Sequence, residues 1–252
     1  MTTKSPWLAT GRPSSKAIIR LFCFPYAGGS DSIFRSWQGS FPDTIEVCPV
    51  QLPGRGTRIM ESPFTEFAPL VQAATVALAP YLDKPFAIFG HSMGALIGFE
   101  MARLLRSDYA LQPIQLFVSG RCSPQTPIER EANGLSDAEF ISMLWRNNGT
   151  PKEVLEDPEL MELMLPVIRA DFAMCRSYQY SPAPPLDCPI TALGGLLDPT
   201  SDRRRIEGWK EHTRGAFIMR MLPGDHFFLN SERALVLDAI ARGLHCYARN
   251  LA

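Results

Sequence analysis

Short apolar runs alternate with longer stretches in which apolar residues return every three or four positions. The runs at 18–24, 45–51, 86–89, 114–119, 190–195 and 217–222 have the length and residue types of buried strands. Between and after them, 32–40, 64–82, 93–105, 202–212 and 231–248 show helical spacing. Apolar strands separated by amphipathic helices imply an α/β fold, with a mostly parallel central sheet covered by helices on both faces. Residues up to about Lys16 show no periodicity and read as a loose arm. There is no internal repeat and no low-complexity segment.

One interval breaks the alternation. The roughly seventy residues between the run ending near Gly120 and the one starting near Ile190 contain no convincing strand. They read as helices at 136–145, 151–155 and 158–178, with Ser136, Asp137 and Glu139 suited to a helix start. The string Ser181-Pro182-Ala183-Pro184-Pro185 closes the insertion as an extended linker. The chain is therefore expected to form one domain over 1–252, with 121–186 as a helical insertion beside the sheet's carboxyl edge, where it would act as a lid. A plain helical decoration is the alternative.

Composition narrows the function classes. At 252 residues and 46% hydrophobic content the chain can build one sizeable α/β core. Its 25 Lys and Arg against 26 Asp and Glu give a net charge of -1, no electrostatic case for nucleic acid or an anionic membrane. No apolar run has the length of a spanning helix, and the start lacks the apolar centre of a signal peptide, so a cytoplasmic protein is expected. Six cysteines (Cys23, Cys48, Cys122, Cys175, Cys188, Cys246) lie scattered without a Cys-x-x-Cys pair and read as free thiols of a reducing compartment. No Cys or His cluster has metal-ligand spacing, so no metal is expected.

The chemistry concentrates in Lys84-Pro85-Phe86-Ala87-Ile88-Phe89-Gly90-His91-Ser92-Met93-Gly94, followed by a helical run. A strand ending in Gly-x-Ser-x-Gly and opening into a helix is the nucleophile elbow of α/β-hydrolases. A serine hydroxyl is a weak nucleophile, so it must stand exposed on a tight turn where a base reaches it. Gly90 and Gly94 keep Cβ atoms out of that turn.

In this fold the acid and the base follow the serine in that order. Of four histidines, His226 follows the last strand and precedes the final helix, where the base belongs. His91 lies inside the elbow and reads as structural; His212 and His245 lie on helices and read as ordinary. Asp198, just past the run at 190–195, is the expected acid. Asp202 looks like a helix start, and Asp225 is too close in sequence to His226 for triad geometry. The oxyanion hole needs two amide donors. Met93, directly after the serine, should supply one, and the glycine-rich loop after the first strand should supply the other through Ala27, with Tyr26 as fallback. That loop lacks the Lys-Ser/Thr ending of a P-loop and the spacing of a dinucleotide fingerprint.

Phe24-Pro25-Tyr26-Ala27-Gly28-Gly29, Gln51-Leu52-Pro53-Gly54-Arg55, the segment around Gly-His-Ser-Met-Gly, and Gly224-Asp225-His226-Phe227-Phe228 together resemble type II thioesterases, the editing enzymes of nonribosomal peptide and polyketide synthases. Gly149-Thr150-Pro151 and Leu165-Pro166-Val167-Ile168-Arg169-Ala170-Asp171-Phe172 look like that family's lid. The chain departs from the family at Gly56-Thr57, where acidic residues are common, and near Arg176, where Glu is common. The resemblance implies hydrolysis of stalled or aberrant acyl groups from the phosphopantetheine arm of acyl or peptidyl carrier domains, with Ser92, Asp198 and His226 catalytic. It implies no separate cofactor, and a monomer is the default. Alternatives are a medium-chain acyl carrier protein thioesterase ending fatty-acid synthesis, a general carboxylesterase, or a non-catalytic binder of acyl carriers. Leu144, Met161, Leu163 and Met164 could line an acyl pocket or simply pack the lid.

Overall fold

The computed structural model describes residues 5–9, 15–126, 134–146, 150 and 152–248. All six expected strands form: β1 (Ile19–Phe24), β2 (Ile45–Pro49), β3 (Phe86–His91), β4 (Gln115–Ser119), β5 (Ile190–Gly195) and β6 (Phe217–Leu222). They pair in the order β2-β1-β3-β4-β5-β6, every pair parallel. The order reverses between β1 and β3, and it is outside the carboxyl ends of strands at such a switch point that open α/β sheets bind ligands.

Successive strand residues point to opposite faces, and both faces are buried. Phe22, Phe24, Ile88, Leu116, Val118 and Ile190 join one core with helices α1 (Phe67–Leu78) and α2 (Met93–Tyr109). Leu21, Cys23, Ala87, Phe89, Phe117 and Leu193 join the other. That second face is covered by a 3-10 helix (Asp31–Ser40) and by the C-terminal helix described below.

The insertion between β4 and β5 holds α3 (Asp137–Arg146), α4 (Lys152–Leu155) and α5 (Pro158–Ser177). Ser136 and Glu139 start α3 as a reciprocal cap: the Ser136 amide donates to Glu139 Oε2 at 2.8 Å and the Glu139 amide to Ser136 Oγ at 3.4 Å. Phe140, Met143, Leu144, Leu155, Met161 and Ile168 form a small core of their own. Gly149 and Pro151 of the lid-like signature lie outside the described residues. After β5 come α6 (Arg203–Glu207), α7 (Phe228–Ser231) and α8 (Arg233–Ala248).

Three expectations change. The stretch at 32–40 is a 3-10 rather than an α-helix. The single helix expected at 202–212 is two pieces, α6 running into a 3-10 turn (Gly208–His212), whereas the one expected at 231–248 forms as α8, with α7 a separate short helix ahead of it. The arm is not loose throughout. Trp7 and Leu8 are buried, Leu8 bridges Val50 antiparallel, and the Gln51 amide donates to the Trp7 carbonyl at 2.9 Å. Among the described residues no helix is long and apolar enough to cross a membrane.

Candidate active site

Ser92 stands between β3 and α2 with φ 54° and ψ -112°. Only one other non-glycine described residue, Ala110, has a positive φ. A side chain in that region costs on the order of 1–3 kcal/mol and persists only where the surroundings enforce it. Here they do. A Cβ on Gly90 would sit 2.0 Å from the Gly94 carbonyl oxygen, and one on Gly94 would sit 2.3 Å from that of Phe24. The Ser92 amide donates to the Ser119 carbonyl at 2.7 Å, tying the turn to β4. Ser92 holds the N-cap position of α2, yet its hydroxyl makes no capping bond, and the residue is half-buried rather than enclosed.

His226, in the loop after β6, donates from Nδ1 to Asp198 Oδ2 at 2.8 Å, and Asp198 lies just past β5. With Nδ1 protonated, Nε2 is the lone-pair nitrogen, the form a general base requires. Asp198 is enclosed and collects further donors: the Thr200 amide at 2.8 Å, Thr200 Oγ1 at 2.7 Å and Ser201 Oγ at 2.5 Å. Burial alone would raise its carboxyl. The hydrogen bonds from His226, Ser201 and Thr200 outweigh that and hold it well below the usual carboxylate range.

His91 has a different task. Its ring is fully buried, with Nε2 2.9 Å from the His226 carbonyl and Nδ1 2.9 Å from Ser119 Oγ. A carbonyl can only accept, so Nε2 carries the proton and Nδ1 accepts from the serine hydroxyl. Burial, followed by the nearby His226 ring, pushes His91 down to about 3, which keeps it neutral. It braces the His226 backbone against the elbow and β4. Edge contacts with Tyr26 and Phe228, at ring-centre distances of 5.9 and 5.4 Å, hold the ring in place.

The loop after β1 faces the elbow, since its Pro25 carbonyl would lie 2.7 Å from a Cβ on Gly94. Two of its amides are committed: Gly28 donates to Asp171 Oδ2 at 2.7 Å and Gly29 to the Tyr26 carbonyl at 2.9 Å. Ala27, with Tyr26 as the fallback, remains the loop's candidate donor, to act with Met93 at the start of α2.

Residues set aside on sequence grounds have other work. Asp202 caps α6 by accepting from the Arg205 amide at 2.9 Å, and Asp225 accepts from the Phe227 amide at 2.8 Å. His212 is a satisfied buried residue, packed against the Phe99 and Trp209 rings with Nε2 2.5 Å from Gln125 Oε1. Leu144 and Met161 belong to the lid's own core, and Leu163 is exposed. Sequence reasoning missed Thr200, Ser201 and Ser119. The first two had a signal, because hydroxyls two and three residues after an aspartate often close a turn on its carboxylate.

A serine on a strained strand-to-helix turn, with an Asp-held histidine at the same sheet edge, defines a serine hydrolase of the α/β-hydrolase superfamily. Residues 19–246 match the Thioesterase family, described as a thioesterase domain. The chain is 46% identical over 247 residues to linear gramicidin dehydrogenase LgrE of Brevibacillus parabrevis, covering 96% of this chain and 94% of that one. It superposes with a TM-score of 0.86 on RedJ, a thioesterase from the prodiginine pathway of Streptomyces coelicolor, at 41% identity over 94% of this chain and 90% of that one. The type II thioesterase BorB of the borrelidin cluster gives 0.88 at 35% identity, over 96% and 100%. The chain belongs to the thioesterase family, and within it to the type II enzymes. The word dehydrogenase describes the Brevibacillus protein; here the glycine loop after β1 lacks a dinucleotide fingerprint.

Proposed function

We propose that this enzyme hydrolyses stalled or aberrant acyl groups from the phosphopantetheine thioester of acyl or peptidyl carrier domains in nonribosomal peptide or polyketide synthesis. In this reading it acts as a monomer in the cytoplasm, where buried free thiols such as Cys23, Cys48 and Cys188 stay reduced. The observation that carries the proposal is the Asp198–His226 pair at 2.8 Å, at the edge where the strained Ser92 stands. LgrE, named for linear gramicidin, RedJ, of the prodiginine biosynthetic pathway, and BorB, of the borrelidin biosynthetic cluster, support the substrate class.

The steps use protein groups and water. His226 Nε2 takes the Ser92 proton as Oγ attacks the thioester carbonyl carbon. Charge gathers on the carbonyl oxygen, where the Met93 and Ala27 amides donate to it. The tetrahedral intermediate collapses, the C–S bond breaks, and the imidazolium returns its proton to the departing pantetheine sulfur. Water then attacks the Ser92 ester with His226 as base, and collapse frees the acid and restores the hydroxyl. Asp198 remains ionised throughout and stabilises the imidazolium.

The test compares release of acetyl and longer acyl groups from purified holo-carrier proteins with release of the same groups from free pantetheine analogues. Faster release of short chains from the carrier is expected. Preference for long chains would move the enzyme to fatty-acid chain termination, and indifference to the carrier would make it a general esterase.

A further inference from the structure

Three segments far apart in sequence meet beneath the candidate oxyanion loop. Asp171, on α5 of the insertion, accepts from the Gly28 amide at 2.7 Å and from Arg55 Nη1 and Nη2 at 2.6 and 2.8 Å. Both side chains of this ion pair are 2% exposed. Arg55, in the loop after β2, also donates to the Gly29 carbonyl at 3.2 Å and to the Pro53 carbonyl at 3.3 Å. A second contact from α5 presses on the same glycine. Gly28 has φ +76°, and a Cβ there would lie 2.7 Å from Ile168 Cγ1.

A buried bidentate ion pair contributes little net stability, because desolvating both charges offsets most of their attraction. What this one does is geometric. It fixes the Gly28 peptide plane, and the preceding residue is Ala27. The Gly28 N–H is part of the Ala27–Gly28 peptide, which meets the peptide carrying the Ala27 amide at the Ala27 Cα, so turning the first plane would shift where the Ala27 amide lies relative to the elbow. Oxyanion donors act only when held about 3 Å from where the charge develops.

We infer that Asp171 is a positioning residue for catalysis: with Arg55 it locks the Gly28 amide, sets the Ala27 donor, and makes the oxyanion hole depend on the seating of α5. The inference rests on the role proposed for Ala27. The helical insertion then bears on catalysis through α5, since a displaced α5 would leave Ser92 and His226 intact but the oxyanion donor misplaced.

The test uses the purified full chain carrying Asp171→Asn, and a second variant pairing Arg55→Met with Asp171→Leu. The double variant leaves no unpaired buried charge, so it is expected to fold even if the single one does not. Rates are taken per active site, counted by fluorophosphonate titration run to its endpoint, on an acyl-pantetheine thioester and on a p-nitrophenyl acyl ester. We expect kcat to fall about 10–100-fold with KM within about twofold, in line with impairing one oxyanion donor. Affinity for an acyl trifluoromethyl ketone, which forms a tetrahedral oxyanion on the serine, should fall by the same factor. Affinity for a non-hydrolysable acyl-pantetheine ether should not change. A folded variant with a per-site rate within about twofold of wild type on the ester would overturn the inference, as would equal losses for both ligands. Wild-type protein that cleaves the ester but no thioester would instead sink the proposed function, while the variants still report on the clamp.

Discussion

His91 shows how a residue beside a nucleophile can matter without touching the substrate. Its protonated Nε2 holds the His226 carbonyl, and its Nδ1 is satisfied by Ser119. Protonating Nδ1 would reverse the second bond, with Nδ1 donating to the Ser119 hydroxyl oxygen, and would bury a charge. Because the folded value is pushed down to about 3, the unfolded chain binds a proton that the native state refuses. The stabilisation is therefore complete above about pH 6.5 and is lost as pH falls toward 3, at about 1.4 kcal/mol per pH unit. We predict that His91→Gln, which can keep both hydrogen bonds and does not titrate, loses about 2 kcal/mol less than wild type between pH 6.5 and 4.5. Urea melts at the two pH values check this, and parallel losses would refute it. Asp198 adds no carboxylate step in that window, since its hydrogen bonds keep it ionised well below the usual range.

At the scale of elements, the elbow is a backbone fit rather than a flexible loop. Gly94→Ala would drive a Cβ to 2.3 Å from the Phe24 carbonyl oxygen, where only backbone can yield. It should cost about 3 kcal/mol or more and separate α2 from β1. Gly39→Ala, where a Cβ meets nothing within 4 Å, should stay within about 0.5 kcal/mol. Denaturant midpoints compare the two, and similar costs would show the elbow to be slack. The strands were legible because apolar runs buried on both faces differ plainly from helical spacing. The 3-10 helix at Asp31–Ser40 was not, because Phe34 and Trp37 are three residues apart and suit a period of 3.0 as well as 3.6. The break of the helix expected at 202–212 into α6 and a 3-10 turn depends on local backbone geometry that apolar spacing does not encode. The burial of Trp7 and Leu8 depends on a partner, the edge at Val50, that two apolar residues cannot announce.

For the whole molecule, four loops bring the candidate chemistry to one edge. They follow β1, β3, β5 and β6, and the sheet order reverses beside the first two. Ser92, His226 and Asp198 could be read from motif and loop position, because the elbow has a local signature and the chain order of its partners is set by the fold. The Asp171–Arg55–Gly28 lock and the His91 brace could not be derived that way. Their partners lie 116, 143 and 135 residues apart, and only the packed structure brings them together. In the proposed mechanism Ser92 carries the acyl group between two half-reactions. The most direct measurement is intact-protein and peptide mass spectrometry after rapid acid quench of enzyme mixed with an acyl-carrier protein. We expect an added acyl mass on the peptide containing Ser92, decaying as free acid appears, and neither adduct nor turnover in a folded Ser92→Ala variant. Acyl release that continues in that variant at near wild-type rate would contradict it.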